Sequence, residues 1–535
     1  MKFLNLGIIS ALLLSSSALF AQGEIDAYRY SQTGLNGTAR YLGMGGAFGA
    51  LGGDISAMSS NPGGLAIYRS SEIVTTLSLS SVNTETAWSS VMKEGRTKFK
   101  FDNIAYVGYF PTANSSGIMG WNVGFAYNRV NSFERNYTAH GSGGDYQPYS
   151  MADYIGERAF GTTLGTLKAP TDNFETDPYN NADWLTVLGF EGGIIAPYND
   201  LDSNKEYSSS FFETHPDGSE TLYSPSSTKF NVQERGSTDK YDFSAATNIS
   251  DMVFIGATLS VTDISYRSSI MYEEEFQSIN SSMYLENELN TNGTGFGVNV
   301  GVIIRPVDFL RIGVAFNSPT WYQMTDYYKG AAGSYYSLDT EKPRMDAKTP
   351  QDAYSNYQLS TPERWIFSAA AVFKRALISV DYELTNFNSM KLFSDNGEAF
   401  TDTNNDIQAD YGLEHLVKIG AELKVTSQFS VRAGAGFRSS AIEQDLADNN
   451  VEVLTVGTIP NYTIDKGSNY YTVGLGYRFT PRFYTDLAYV YNKSEENIKL
   501  FSNIYDENGD ALVSSEPIAM KTVTSRFALT LGYKF

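Results

Sequence analysis

The chain has 535 residues, 60 acidic against 39 basic side chains, a formal net charge of −21 and no cysteine. Disulfides, thiolate metal centres and an amino-terminal lipidated cysteine are thereby excluded, and the acidic balance disfavours nucleic acid as a partner. Aromatic residues make up 14 % and charged residues only 19 %, an unusual pairing for a soluble multidomain chain, yet no apolar run of about 18 residues follows the leader to cross a bilayer as a helix.

In chain order, Lys2 and the apolar, small-residue run from Ile8 to Phe20 read as a secretory signal peptide, residues 1–21, cut near Ala21–Gln22. Next comes Ala39 to Ala66, with eight glycines and one proline in 28 residues. Glycine costs backbone entropy and proline removes a donor, so neither a regular helix nor a strand is expected. Leu42, Met44, Phe48, Ile55 and Leu65 nonetheless give the segment apolar mass to pack. It reads as a compact irregular element that a larger structure must enclose. A nucleotide loop is excluded: no lysine lies between Lys2 and Lys93, and Phe48 stands where a dinucleotide fingerprint needs its third glycine.

From residue 71 the pattern is alternation with a period of two. In Tyr471 to Phe479 one face carries Tyr471, Val473, Leu475, Tyr477 and Phe479, and the other carries Thr472, Gly474, Gly476 and Arg478. Fourteen such strands are predicted: 71–82, 97–110, 118–131, 236–248, 252–266, 293–306, 309–317, 361–374, 376–388, 411–425, 428–440, 467–480, 482–495 and 521–535. A sandwich would bury the apolar face as a core, whereas a membrane barrel turns it to lipid. The polar face carries Arg311, Asp381, Glu383, Lys418, Glu422, Arg432 and Arg438, which suit a wet lumen. Turns of a few residues alternate with excursions of about 15 to 100 residues, the asymmetry of periplasmic turns and outside loops. The expectation is all-β: a 14-stranded antiparallel transmembrane barrel, with long extracellular loops holding some helix.

The longest loop, 132–235, has helical patches at 150–160 and 182–190. Trp184, Leu185, Leu188 and Phe190 form an apolar cluster there, and such clusters on a cell-surface loop mark binding sites. They are candidates for ligand capture, though the same cluster would equally pack the loop onto the barrel mouth. The loop 386–410 is acidic, and Asp402, Asn404 and Asp406 have the opening spacing of a calcium loop. Ile407 replaces its glycine and Leu413 its closing glutamate, so a solvated acidic loop is expected. His140, His215 and His415 are the only imidazoles, and neither H-E-x-x-H nor G-x-S-x-G occurs. No catalytic residue, metal ligand or cofactor is assigned.

In the last strand Phe527, Leu529, Leu531, Tyr533 and Phe535 share one face. This resembles the carboxy-terminal assembly signal that bacterial insertion machinery recognises in outer-membrane barrels. The run GMGGAF, then Asp54, then Asn61-Pro62-Gly63-Gly64-Leu65-Ala66 resembles the FadL/TodX family of outer-membrane hydrophobic-compound transporters. That resemblance implies a hatch within residues 22–70 plugging a barrel of residues 71–535, with Asn61, Pro62 and Gly63 as hatch-motif residues. Gly63 departs from the alanine usual there, which should loosen the turn. The resemblance further implies a monomer in the cell outer membrane, among lipid and lipopolysaccharide. Its expected role is passive uptake of hydrophobic compounds or lipids, long-chain fatty-acid-like. Three other readings stay open: a non-transport barrel that binds a partner protein, since type IX secretion shuttles also resemble this family; a haem receptor using His140 and His215; and a barrel enzyme.

Overall fold

Inside lipid every backbone N–H and C=O needs a partner from the chain itself, which strands achieve only by closing into a barrel. The computed structural model describes residues 23–142, 146–214, 220–337, 344–351, 353–453, 455–506 and 508–535. The predicted signal peptide and His215 lie outside the described residues. The barrel strands are β1 (Glu72–Ala87), β2 (Val91–Pro111), β3 (Ile118–Ser132, continued by Arg135–Ser142), β4 (Ser227–Ile249), β5 (Val253–Phe276) and β6 (Ser281–Val307). Then come β7 (Leu310–Asn317 and Trp321–Tyr336), β8 (Arg344–Lys348, Tyr354–Ser360 and Arg364–Val372), β9 (Ala376–Asn386) and β10 (Leu413–Lys424). The last four are β11 (Phe429–Arg438), β12 (Tyr462–Arg478), β13 (Phe483–Lys499) and β14 (Ile518–Lys534). Neighbours pair antiparallel, and β14 closes onto β1 from Glu72↔Lys534 to Ala87↔Ala519. This is the expected fourteen-stranded barrel.

Tight turns gather at one end, and there the Phe535 N–H donates to the Ser71 carbonyl at 2.9 Å. At the other end the expectation needs correcting. The stretches 83–96 and 267–292 were read as excursions, yet they are largely strand and close in short hairpins at 88–90 and 277–280. The cause is a reversal of facial polarity. In the lower part of β5, Ile255, Ala257, Leu259 and Val261 point outward, and Gly256, Thr258, Ser260 and Thr262 point inward. Above them Asp263, Ser265 and Arg267 point outward, while Ile264, Tyr266, Ile270 and Tyr272 are buried. Strand β6 reverses at the same level, from outward Phe296 and Val298 to outward Glu286 and Glu288. Below the reversal the strands face lipid outside and a polar lumen inside. Above it they face water outside and enclose an apolar core.

That upper core is a dome. The long loop contributes α4 (Met151–Arg158), α5 (Leu164–Leu167), α6 (Pro178–Asn181) and α7 (Trp184–Glu191), packed against the extended strands through Ile155, Leu188, Phe211 and Phe276. A second cluster holds α1 (Glu24–Ser31), whose Ile25, Tyr28 and Tyr30 pack among Tyr266, Tyr357, Phe387, Tyr411 and Tyr462. From the dome the chain descends inside the barrel to α2 (Ala39–Gly43), α3 (Ala57–Ser60) and a 3-10 turn, Pro62–Ile67, then enters β1. The numbering of α helices continues with α8 (Thr401–Asp410) and α9 (Gln444–Ala447) in outer connections.

The wall admits this inner segment at two bare spots. Gly256 and Gly301 are cross-strand partners, and a methyl on either would collide with Pro62 or Asn61. Gly420 and Gly434 are likewise partners, and a methyl there would collide with Met44 or Gly45. Backbone therefore rests on backbone. Valine at Gly301 or Gly434 is expected to leave a closed barrel while overpacking the inner segment by about 1–3 kcal/mol. Hydrogen exchange of residues 39–67 should speed up in both variants; unchanged protection would refute the account.

Candidate functional site

The inner segment first closes on itself. Thr38 caps α2, its Oγ1 accepting from the Tyr41 N–H at 3.1 Å and donating to Asp54 at 2.8 Å. Asp54 accepts the Ser56 N–H at 3.0 Å, and Ser56 Oγ accepts the Thr38 N–H at 2.9 Å. Asn61 is fully buried and uses both ends of its amide. Nδ2 donates to the Gly49 carbonyl at 2.6 Å, and Oδ1 accepts the Gly63 N–H at 3.0 Å, capping the 3-10 turn with Pro62 in its first position. A methyl on Gly63 would lie 2.9 Å from the Phe254 carbonyl oxygen and 3.0 Å from that of Gly301. Glycine thus lets the turn approach the wall more closely, which reverses the expectation that it loosens the turn.

Lumen-facing side chains then hold the segment from many sides. Asp381 accepts the Gly49 N–H at 2.8 Å, Tyr470 donates to the Gly45 carbonyl at 2.9 Å, and Thr530 accepts the Ala39 N–H at 2.7 Å. Thr258 donates to the Met58 carbonyl at 3.0 Å, and Arg311 to that of Leu51 at 2.5 Å. Arg40 adds an ion pair to the wall: its Nε lies 3.1 Å from Glu422, which Arg432 also binds at 2.7 Å while reaching Asp486 at 2.5 Å. Strand alternation singled out Arg311, Asp381, Glu422 and Arg432 as lumen charges; Arg40 and Arg526 were not among them. Arg526 binds Asn36 at 2.5 Å and the Leu35 carbonyl. An arginine beside a glycine run has no pattern of its own, and only the enclosing wall reveals its partner.

Two cavities lie on opposite sides of the segment. The upper chamber, about 430 Å³, sits between it and α1 and is lined about equally by polar and apolar surface. Lys100, Lys240, Arg364, Lys418, Arg438 and Arg526 line it, against the carboxylates Glu383 and Glu414. Most of that charge is matched: Lys418 pairs with Glu383 at 2.5 Å, Arg364 with Glu383 at 3.7 Å, Arg438 with Glu414 at 2.8 Å and Asp465 at 2.6 Å, and Lys240 with Asp242 at 3.7 Å. The lower cavity, about 360 Å³, opens toward the turn end beside Arg40, Asp54, Tyr68, Glu72 and Lys534.

The capture candidates all fall on α7, capped by Asp183 at the Thr186 N–H, 3.0 Å away. Leu185 and Leu188 are buried in the dome core. Trp184 and Phe190 are half-buried, and the Trp184 ring meets Tyr179 and Tyr328 edge-on at 5.1 Å each. The helix packs down over the barrel mouth instead of lining an open groove. Phe527, Tyr533 and Phe535 stand exposed on the outer face of β14. Asp402, Asn404 and Asp406 do not form a loop: they lie on α8, where Asn404 is spent on the Leu392 backbone at 2.7 and 2.9 Å. Among the described residues no group of three His, Asp or Glu side chains is placed to hold a metal. His140 lies 3.4 Å from Ser227, and His415 stands outward, bonded to Tyr382 at 2.7 Å.

Residues 251–535 match a family described as outer membrane protein transport protein (OMPP1/FadL/TodX). Outer membrane protein P1 of Haemophilus influenzae is 24 % identical over 248 residues, 45 % of this chain and 47 % of that protein. A 47 kDa outer membrane protein of Pasteurella multocida is 22 % identical over 258 residues, 46 % of this chain and 52 % of its own. The chain thus spans about half the length of the curated relatives it matches. Two solved structures share the fold at a TM-score of 0.50. A Pseudomonas aeruginosa FadL homologue has 14 % identity, with 94 % of this chain and 99 % of that one covered. A deletion mutant of the TodX monoaromatic hydrocarbon channel has 12 %, covering 93 % and 98 %. The match to more than half of the chain, on a closed fourteen-stranded barrel, makes this protein a member of the OMPP1/FadL/TodX family of outer-membrane transport proteins.

Proposed function

We propose that the protein carries out passive uptake of hydrophobic compounds across the outer membrane, with residues 22–70 as a movable hatch in a barrel of residues 71–535. The reading rests above all on how the lumen is filled. An apolar solute gains nothing from an open aqueous pore, and an open pore would leak. The inner segment fills the lumen, held by neutral hydrogen bonds from Tyr470, Thr530 and Thr258, each worth about 0.5–1.5 kcal/mol net, and by stronger bonds to Asp381, Arg311 and Arg526. Side-chain ion pairing to the wall comes from Arg40. Such a segment is firm in sum yet can yield stepwise.

The chamber supports one reading of the ligand class. A neutral aromatic hydrocarbon, the cargo named for the TodX channel, would gain only cation–π contact from Lys100 and Arg526, the lining cations without an ion pair among the described residues. A long-chain fatty-acid-like amphiphile does, since its carboxylate would exchange water for charge-assisted bonds. Its tail would meet Trp184 and Phe190 first, with Leu185 and Leu188 reached once α7 lifts. The outward belt contacts outer-membrane lipid and lipopolysaccharide, and Phe527, Tyr533 and Phe535 are presented to the assembly machinery. Closure leaves no free strand edge for pairing with a second copy, which is consistent with a monomer.

Deleting residues 24–66 should raise small-solute conductance in planar bilayers; a barrel as silent as the wild type would sink the hatch role. Asn61→Ala leaves the Gly63 N–H and the Gly49 carbonyl unpaired at a cost of about 1–3 kcal/mol, so brief openings should appear in that variant without full loss of the seal. Lys100 faces the chamber and bonds Ser132 at 2.8 Å. Lys100→Gln should weaken uptake of a long-chain carboxylate by roughly tenfold, about 1.5 kcal/mol, while sparing its methyl ester. Equal effects on acid and ester would remove the carboxylate reading.

A further inference from the structure

Among the described residues, cations outnumber carboxylates in the lining of the lower cavity, the one below the inner segment. Three of the cations are matched. Arg432 binds Glu422 and Asp486, Arg40 binds Glu422, and Lys534 lies 3.6 Å from Glu72. Asp54, the remaining carboxylate of the lining, is spent on Thr38 and Ser56. Arg311, Lys424 and Arg478 line the same cavity, and among the described residues none of them forms an ion pair. Arg311 is half-buried and stands beside the small Ala370, opposite a bulge of β6 at Arg305–Pro306. Its Nη1 donates to the Leu51 carbonyl at 2.5 Å, while its Nε is buried and has no acceptor. The Nε–Nη2 edge is therefore unspent, and such an edge can take a carboxylate through two parallel bonds.

The turns around the mouth repeat the imbalance. Segments 373–375, 424–428 and 478–482 carry Lys374, Arg375, Lys424, Arg478 and Arg482, all exposed, and no acidic residue. Elsewhere at the turn end the cations have partners, Arg69 with Asp251 and Arg305 with Asp308. In a chain of net charge −21 this sector reverses the sign locally, and it draws anions toward the opening. Leu51, Ile67, Val372 and Leu377 add an apolar flank to the same cavity.

We propose that the lower cavity is an exit-side site for the carboxylate of an amphiphilic cargo, with Arg311 as its seat and Lys424 and Arg478 at its mouth. The inference rests on the carboxylate reading of the cargo given above. The Leu51 carbonyl and an arriving carboxylate compete for one guanidinium. When the inner segment withdraws, Arg311 loses a neutral acceptor and takes a charged one, which it binds more strongly. The headgroup is thereby held below the segment while the tail is still passing it. The cargo then leaves through the turn end of the barrel.

The chain has no cysteine, so a single introduced thiol can report on each cavity. Ser427→Cys in the lower cavity and Ser494→Cys in the upper chamber would each carry a trifluoromethyl tag. Fluorine NMR would follow them in the full processed protein in phosphatidylcholine nanodiscs, where added ligand reaches both ends of the barrel. Decanoate should shift both signals saturably, and methyl decanoate should bind about tenfold more weakly at the lower reporter. Arg311→Gln keeps an amide donor for the Leu51 carbonyl. It should weaken decanoate about tenfold at the lower reporter and leave the upper one unchanged. Should that variant lose the heat-modifiable gel mobility of a folded barrel, Arg478→Gln, which forms no bond to the inner segment, should weaken the lower response in the same direction. A response at the upper reporter alone overturns the exit site and leaves the uptake reading standing; silence at both overturns both. Equal binding of acid and ester at the lower reporter, or folded variants that bind like the parent, overturns the site. Inorganic phosphate binding there as tightly as decanoate assigns the cavity to a small hydrophilic anion and likewise overturns it.

Discussion

The pairing of β14 with β1 is the interaction on which everything else rests. Sixteen residue pairs join the last strand to the first, from Glu72↔Lys534 to Ala87↔Ala519, so the hydrocarbon core meets no unpaired backbone edge. Closure also creates an inside. Only because the wall is continuous can Arg311, Asp381, Glu422 and Arg432 be withdrawn from lipid and turned toward a polypeptide that needs donors and acceptors. The glycine-rich segment could not hold this shape alone. Its backbone groups find partners on strands far apart in sequence, among them Gly49 with Asp381 and Ala39 with Thr530.

The way that segment is held has two levels of strength. Neutral bonds to Tyr470, Thr530 and Thr258 are individually small and exchange readily with water. The Arg40–Glu422–Arg432–Asp486 cluster differs in kind, since removing one member strands a buried charge at about 3–5 kcal/mol. Arg40 alone among the four belongs to the inner segment. Without Arg40, Glu422 would still bind Arg432, so the wall carboxylate would keep a partner.

Much of the architecture is legible in the sequence because lipid imposes a strict rule on it. Alternation in segments such as Tyr471 to Phe479 locates strands, and their polar faces locate the lumen charges. Legibility fails where the rule lapses. Above residue 263 of β5 the apolar positions shift to the other face, and a reader following one face ends the strand there. Asp402, Asn404 and Asp406 mimic a metal loop by spacing, but helix formation directs Asn404 to the Leu392 backbone. Trp184, Leu185, Leu188 and Phe190 were found as a group, while their burial depends on strands more than a hundred residues away. Gly63 shows the limit most plainly, since its meaning lies in the Phe254 and Gly301 carbonyls across the lumen.

The change of face at Thr262–Ile264 also acts as a waterline. Pushing the barrel outward by one residue pair would lift Val261 and Phe296 into water; drawing it inward would sink Asp263 and Thr294 into hydrocarbon. Both moves are unfavourable, so the molecule has one vertical position and must thin, thicken or tilt against any bilayer whose depth does not match it. The inner segment is bolted to the wall below that line and the dome lies above it. Membrane thickness is therefore transmitted to the barrel wall at the level of its lumenal contents.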